Sequence, residues 1–89
     1  MGVYLVDRVF PGTTLDQIIE AQRALMEMSQ RFTARGEHVR YLRSIYIPGE
    51  SRCLCLFEAP DAQSVEEVNE VARVRFTRIV EALELMPEQ

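Results

Sequence analysis

HVRYLRSIYIPGESRCLCLFEAPDA, residues 38–62, is the stretch whose reading decides the fold. Residues 38–47 are rich in β-branched and aromatic side chains, as a strand requires. Pro48-Gly49-Glu50 breaks the run, and residues 52–59 return as a second strand, so the two read as a hairpin. Pro60-Asp61 then stops the strand, and Asp61 is placed to cap a helix over 61–74, with Ala62, Val65, Val68 and Ala72 on its buried side.

Upstream, residues 3–10 (VYLVDRVF) form a strand that ends at Pro11-Gly12. Thr14 with Gln17 three positions on fits a capping box, and Asp16 lies in the favourable first turn. Leu15, Ile18, Ile19, Gln22, Leu25, Met26, Ser29 and Phe32 recur at helical spacing, and Gly36 supplies the stop. Downstream, FTRIVEALEL (76–85) is a last strand, with Ala82 as a bulge or bend inside it. The order β-α-β-β-α-β is the ferredoxin-like plan of an α+β protein, an antiparallel sheet with two helices on one face. Helices cover one face only, yet neither alternating residue set is polar. Val3, Leu5 and Val9 alternate with Tyr4, Val6 and Phe10, and Leu54 and Leu56 alternate with Cys53, Cys55 and Phe57. Both faces want burial, which predicts a homodimer of the α+β-barrel kind.

The chain of 89 residues reads as one domain over 1–89. A domain of this size buries about 60–65% of its unfolded surface, and association would relieve that shortage. Fourteen acidic residues against ten basic ones give a net charge of −4, the reverse of a nucleic-acid footprint. All basic residues are arginine, so lysine Schiff-base chemistry is excluded. No apolar run approaches the ~20 residues of a membrane helix. The first residues carry neither a basic leader nor a long apolar core, and two cysteines fit reduced thiols, so a cytoplasmic location is expected.

Three groups of residues can carry chemistry. Cys53 and Cys55 point to the same side of a strand with Cα atoms roughly 6.6–6.8 Å apart, at the edge of disulfide geometry. They read as two buried apolar thiols, as a contact to one soft metal, or as a redox pair; a closed zinc site would need four ligands. His38, the only histidine, is a solvated edge residue or a metal ligand, with Glu37 as a neighbouring carboxylate. Asp7, Arg8, Tyr41, Arg43 and Glu58 are polar residues in apolar strands. They read either as ion pairs, such as Arg40 or Arg43 with Glu58 or Asp7, or as a pocket formed with Cys55, where Tyr41 and Arg43 hold an anionic ligand. Glu66, Glu67 and Glu70 with Arg73, Arg75 and Arg78 read as a solvated face. No phosphate loop, nucleophile elbow or HExxH is present, and a catalytic reading would need Asp7, Glu58 or His38 as base.

Residues 4–12 (YLVDRVFPG), 38–62, EVNE and 76–85 resemble a small bacterial ferredoxin-like family, domain of unknown function 4242, whose members are often labelled nickel-binding proteins. The most specific strings are C-x-x-E-A-P-D from Cys55 to Asp61 and R-x-x-P-G from Arg8 to Gly12. The resemblance implies a dimer and a role in binding divalent nickel, with ligands at the dimer surface and no organic cofactor evident. Two features depart from the family. Arg73-Val74-Arg75 stands where members often have a Gly-x-Pro stop, and the second helix lacks the histidine many members carry. His38 and nearby carboxylates therefore remain as ligands. The competing expectation is a barrel enzyme or auxiliary protein, monooxygenase- or isomerase-like, with a cavity beside Tyr41, Arg43 and Cys55.

Overall fold

The computed structural model describes residues 1–87. In chain order it contains β1 (Gly2–Val9), α1 (Leu15–Ala34), β2 (Arg40–Ile47), a 3₁₀ turn (Pro48–Glu50), β3 (Arg52–Ala59), α2 (Ala62–Val71) and β4 (Arg78–Ala82). The strands form one sheet in the order β2-β3-β1-β4, with every neighbouring pair antiparallel. This is the expected ferredoxin-like arrangement.

Local chemistry accounts for the element ends. Thr14 and Gln17 form both halves of the capping box at the start of α1, and Asp61 Oδ1 accepts from the Ser64 backbone at the start of α2. Both helices close with the same pair of bonds. After α1, Gly36 N–H donates to Thr33 O and Glu37 N–H to Phe32 O. After α2, Arg73 N–H donates to Glu70 O and Val74 N–H to Asn69 O. This Schellman motif needs a left-handed residue just past the helix. Gly36 supplies it at φ 95°, but Arg73 must adopt φ 60° with a Cβ present. The motif ends α2 at Val71, short of the 74 expected from the sequence. Arg73→Gly should therefore stabilise the protein by about 1 kcal/mol, since a left-handed L-residue costs ~1–2 kcal/mol. A thermal melt should rise by roughly 4–8 °C; an unchanged or lower midpoint would contradict the assignment.

The strand ends also differ from expectation. β2 starts at Arg40 because Val39 is tied to the end of α1, exchanging two hydrogen bonds with the Thr33 hydroxyl (3.0 and 2.9 Å). β4 stops at Ala82, where its partner runs out: Ala82 lies opposite Val3, next to the first residue of β1.

The core fills the space between sheet and helices. Val6, Cys53, Cys55, Phe57 and Ala59 face inward from the central strands, met by Leu25 and Phe32 of α1 and Val65 and Val68 of α2. The buried stripe of α1 is narrower than its periodicity suggests. Ile18, Leu25, Ser29 and Phe32 are buried, whereas Leu15, Ile19 and Met26 are exposed. On α2, Val65, Val68 and Asn69 are buried, while Ala62 is exposed and Ala72 half-buried.

The opposite face of the sheet carries Val3, Leu5, Val9, Ile45, Ile47, Leu54, Leu56 and Val80, none of them buried. Within this aliphatic face Asp7 is 6% exposed. It accepts from Arg52 at 3.0 and 2.7 Å and from Arg78 at 3.3 Å. The Arg52 hydrogen bonds hold its carboxyl below the usual range against the opposing effect of burial. The ion pair thus contributes stability at neutral pH that is lost as pH falls through the lowered folded value.

Candidate functional site

Two places bring chemistry-bearing side chains together. The first is the edge of the sheet where β2 begins. His38 Nε2 lies 3.2 Å from Glu58 Oε1, and Arg40 Nη1 reaches the same oxygen at 3.5 Å. Arg40 and Glu58 are cross-strand partners, which puts Glu58 on the aliphatic face. His38 and Glu58 are only partly covered, with side chains 37% and 31% exposed. Glu37 is exposed beside them. Among the described residues no group of three or more His, Cys, Asp or Glu side chains could hold a metal ion. One chain therefore offers this edge two good donors, one imidazole and one carboxylate, and a divalent ion would need further ligands.

The second place is a cavity of about 140 Å³ between α1 and the inner face of the sheet. An apolar cavity near 150 Å³ accommodates a benzene-sized guest. Its floor is made by Cys53 and Cys55 with Arg8, Tyr41, Ser44 and Tyr46, and its apolar wall by α1. No carboxylate or imidazole lines it. The two Sγ atoms are 3.8 Å apart and both thiols are free. Ser44 Oγ donates to Cys55 Sγ at 3.0 Å, the Tyr41 hydroxyl lies 3.8 Å from the same sulfur, and the two hydroxyls are hydrogen-bonded to each other.

Arg8 is 1% exposed and has no carboxylate among its partners. Nη2 donates to Asn69 Oδ1 at 2.6 Å and Nη1 to Arg75 O at 3.1 Å, where the C-terminal end of α2 favours a cation. Nε is buried without a partner. These surroundings separate the two thiols. The hydrogen bond from Cys53, the Arg8 charge and the Ser44 and Tyr41 hydroxyls pull the Cys55 thiol down, although burial opposes them. That same hydrogen bond and burial push Cys53 up. Cys55 is thus the more acidic thiol of the pair. Burial also pushes Tyr41 up to about 12, so it stays a donor at neutral pH.

The residues expected to share one ligand pocket are divided by the sheet. Tyr41 and Cys55 line the cavity, whereas Asp7, Arg43 and Glu58 stand on the other face. Asp7 pairs with Arg52 and Arg78, and Arg43 pairs with Glu84. Asp7 and Glu58 stand there by ordinary alternation along β1 and β3, whereas Arg43 is put there by a bulge. Regular alternation from Tyr41 would put Arg43 beside it. The register instead slips between these two residues, leaving Leu42 extra and turning Ser44 inward opposite Cys55. Ser44 was invisible to sequence reasoning for that reason. Arg8 had a signal, because it continues the inward set Tyr4 and Val6. The three possible bases, Asp7, Glu58 and His38, are absent from the cavity wall.

An antiparallel sheet backed by two helices in this strand order defines a ferredoxin-like α+β protein. The chain belongs to the family described as nickel responsive protein SCO4226-like, whose model matches residues 4–82. The crystal structure of SCO4226 from Streptomyces coelicolor A3(2) superposes with a TM-score of 0.78 at 24% identity, covering 94% of this chain and 99% of that one. That likeness is one of fold. No curated protein matches the chain. No helix among the described residues is long and apolar enough to cross a membrane.

Proposed function

We propose that the protein is a cytoplasmic, non-enzymatic homodimer that binds divalent nickel, with His38 and Glu58 as the ligands from each chain and Glu37 as an outer carboxylate. The observation that carries this reading is the His38–Glu58 pair at 3.2 Å on the margin of the uncovered aliphatic face. Membership in a nickel responsive family supports the choice of metal. Imidazole nitrogen and carboxylate oxygen are donors that suit nickel(II). Two donors are too few for an ion that prefers a larger shell, and a second copy packed on the aliphatic face supplies the missing partners. That face has eight aliphatic side chains that no helix covers, and a two-fold contact would bury the same set from both copies. Glu58 belongs to the same face as the contact, so binding and dimerisation are linked.

Within the site the residues have separate tasks. His38 Nε2 must be free of its proton to bind a metal, Glu58 balances the charge, and Arg40 competes for Oε1 until the ion displaces it. Calorimetry with nickel on tag-free protein tests the assignment. Wild type should bind with a saturable heat. His38→Ala should weaken binding by at least the ~10–100-fold that loss of a supporting partner costs, with an unchanged melting curve. No heat from wild type, or equal binding by the variant, would refute it.

A further inference from the structure

We propose that Cys53 and Cys55 form a second metal site, a two-sulfur slot inside the subunit for a soft monovalent cation such as copper(I). This site is separate from the His38 edge, because the cysteines face the cavity and Glu58 faces the other side of the sheet.

Geometry is the first argument. The Sγ atoms lie 3.8 Å apart on the cavity floor. Half that separation is shorter than a metal–thiolate bond of about 2.3 Å. An ion bonded to both sulfurs where they stand therefore sits off the line joining them, and a near-linear two-sulfur arrangement needs the sulfurs to move apart by a little under about 1 Å. The rigidity of the sheet holds the pair: Cys55 is flanked by Val6 and Ser44, and Cys53 by Arg8 and Tyr46.

Donor chemistry and charge then select the ion. The cavity wall offers two sulfurs, the hydroxyls of Tyr41, Ser44 and Tyr46 and the Gln22 amide, but no imidazole or carboxylate. Thiolates are the soft donors that favour copper(I), which accepts low coordination numbers, whereas zinc and nickel want fuller shells. Two thiolates around a monovalent cation carry a net charge of −1. Arg8, buried on the same floor with an unpartnered Nε and no carboxylate, offers the matching +1. A divalent ion would leave the two thiolates neutral and Arg8 unbalanced in a dry site, an expensive arrangement.

Loading is a proton-for-metal exchange with no electron transfer. The thiol S–H bonds break, two metal–sulfur bonds form, and the displaced protons leave to solvent. Leu15 and Ile19 are exposed residues of the cavity wall, so one end of the cavity reaches the surface and gives the ion an entry path.

Anaerobic titration of tag-free protein with copper(I), in competition with a coloured copper(I) chelator, tests the site. Wild type should take one copper(I) per chain that excess nickel(II) does not displace. Cys53→Ala and Cys55→Ala should each lose more than the ~10–100-fold that a supporting residue contributes. His38→Ala should bind copper(I) as wild type does, which separates this site from the nickel edge. X-ray absorption of the copper-loaded wild type should show a shell of two sulfurs, a readout that stands even if the cysteine variants fail to fold. Failure of wild type to compete with the chelator would overturn the proposal. So would retention of copper(I) by the alanine variants, or a shell of nitrogen and oxygen alone.

Discussion

Leu56→Glu should convert the protein from a dimer to a folded monomer. Leu56 sits near the centre of the uncovered sheet face, opposite Leu5 on β1 and Arg43 on β2. In a single chain its side chain is already partly exposed on a face no helix covers, so a carboxylate there reaches water and costs the subunit little. In a face-to-face dimer the same carboxylate is buried without a partner, and two-fold symmetry doubles the penalty. Burying even a neutral polar group unpaired costs about 1–3 kcal/mol on protein scales, and a charge costs more. Light scattering after size exclusion should therefore report the mass of one chain, 10.3 kDa, where the proposed wild-type dimer should give twice that. Nickel binding should weaken in parallel, because the shell around His38 and Glu58 would lose the second copy. A variant that remains dimeric would show that the aliphatic face is not where the copies meet.

Phe57→Ala is expected to have the largest effect on stability. Phe57 has no exposed surface and lies between Tyr4 and Tyr41 in the sheet register, with the Tyr41 ring edge-on at 5.1 Å and 80°. Truncating a buried phenylalanine costs about 3–5 kcal/mol through lost transfer energy and the cavity left behind. A small domain holds only about 5–15 kcal/mol in total. Urea denaturation should show a midpoint lowered by at least about a fifth, or no folded baseline. A loss under 1 kcal/mol would mean that the helices do not pack on this face as described.

The contrast between Phe57 and Leu56 also shows how far the sequence could be read. Alternation in RCLCLFEA separates the two faces of β3 without a structure, and capping chemistry at Thr14 and Asp61 marks both helix starts. Periodicity reports which residues could be buried, not which are. The stripe of α1 therefore looked wider than the part the sheet covers, and Leu15, Ile19 and Met26 remain exposed. The site was less legible because its composition depends on one extra residue. The bulge at Leu42 exchanges Arg43 for Ser44 on the inner face, and no local pattern in YLRSIYI announces it. His38 and Glu58 are twenty positions apart, and only the hairpin register brings them together. Arg8 lay in view as a charged residue at an inward position, but its anchors, Asn69 and the carbonyls of Val74 and Arg75, come from the far end of the chain. That contact also explains how α2 is held without a Gly-x-Pro stop. Arg8 fastens the end of the helix to β1, and the Schellman bonds turn the chain through Arg73.

The two proposed metal sites lie on opposite sides of one sheet. Hard and borderline donors lie at the solvent edge, where a second copy can complete them. Soft donors lie inside, where Arg8 fixes the charge. Only the proposed edge site would need a second copy, so the two proposals separate cleanly in experiment. Native mass spectrometry of tag-free protein titrated with nickel(II) tests the central claim most directly, because it reports assembly and metal content in one spectrum. The account predicts a dimer that takes up nickel, with uptake abolished in His38→Ala while the dimer persists. A monomer, or a dimer whose nickel content is the same with and without His38, would contradict it.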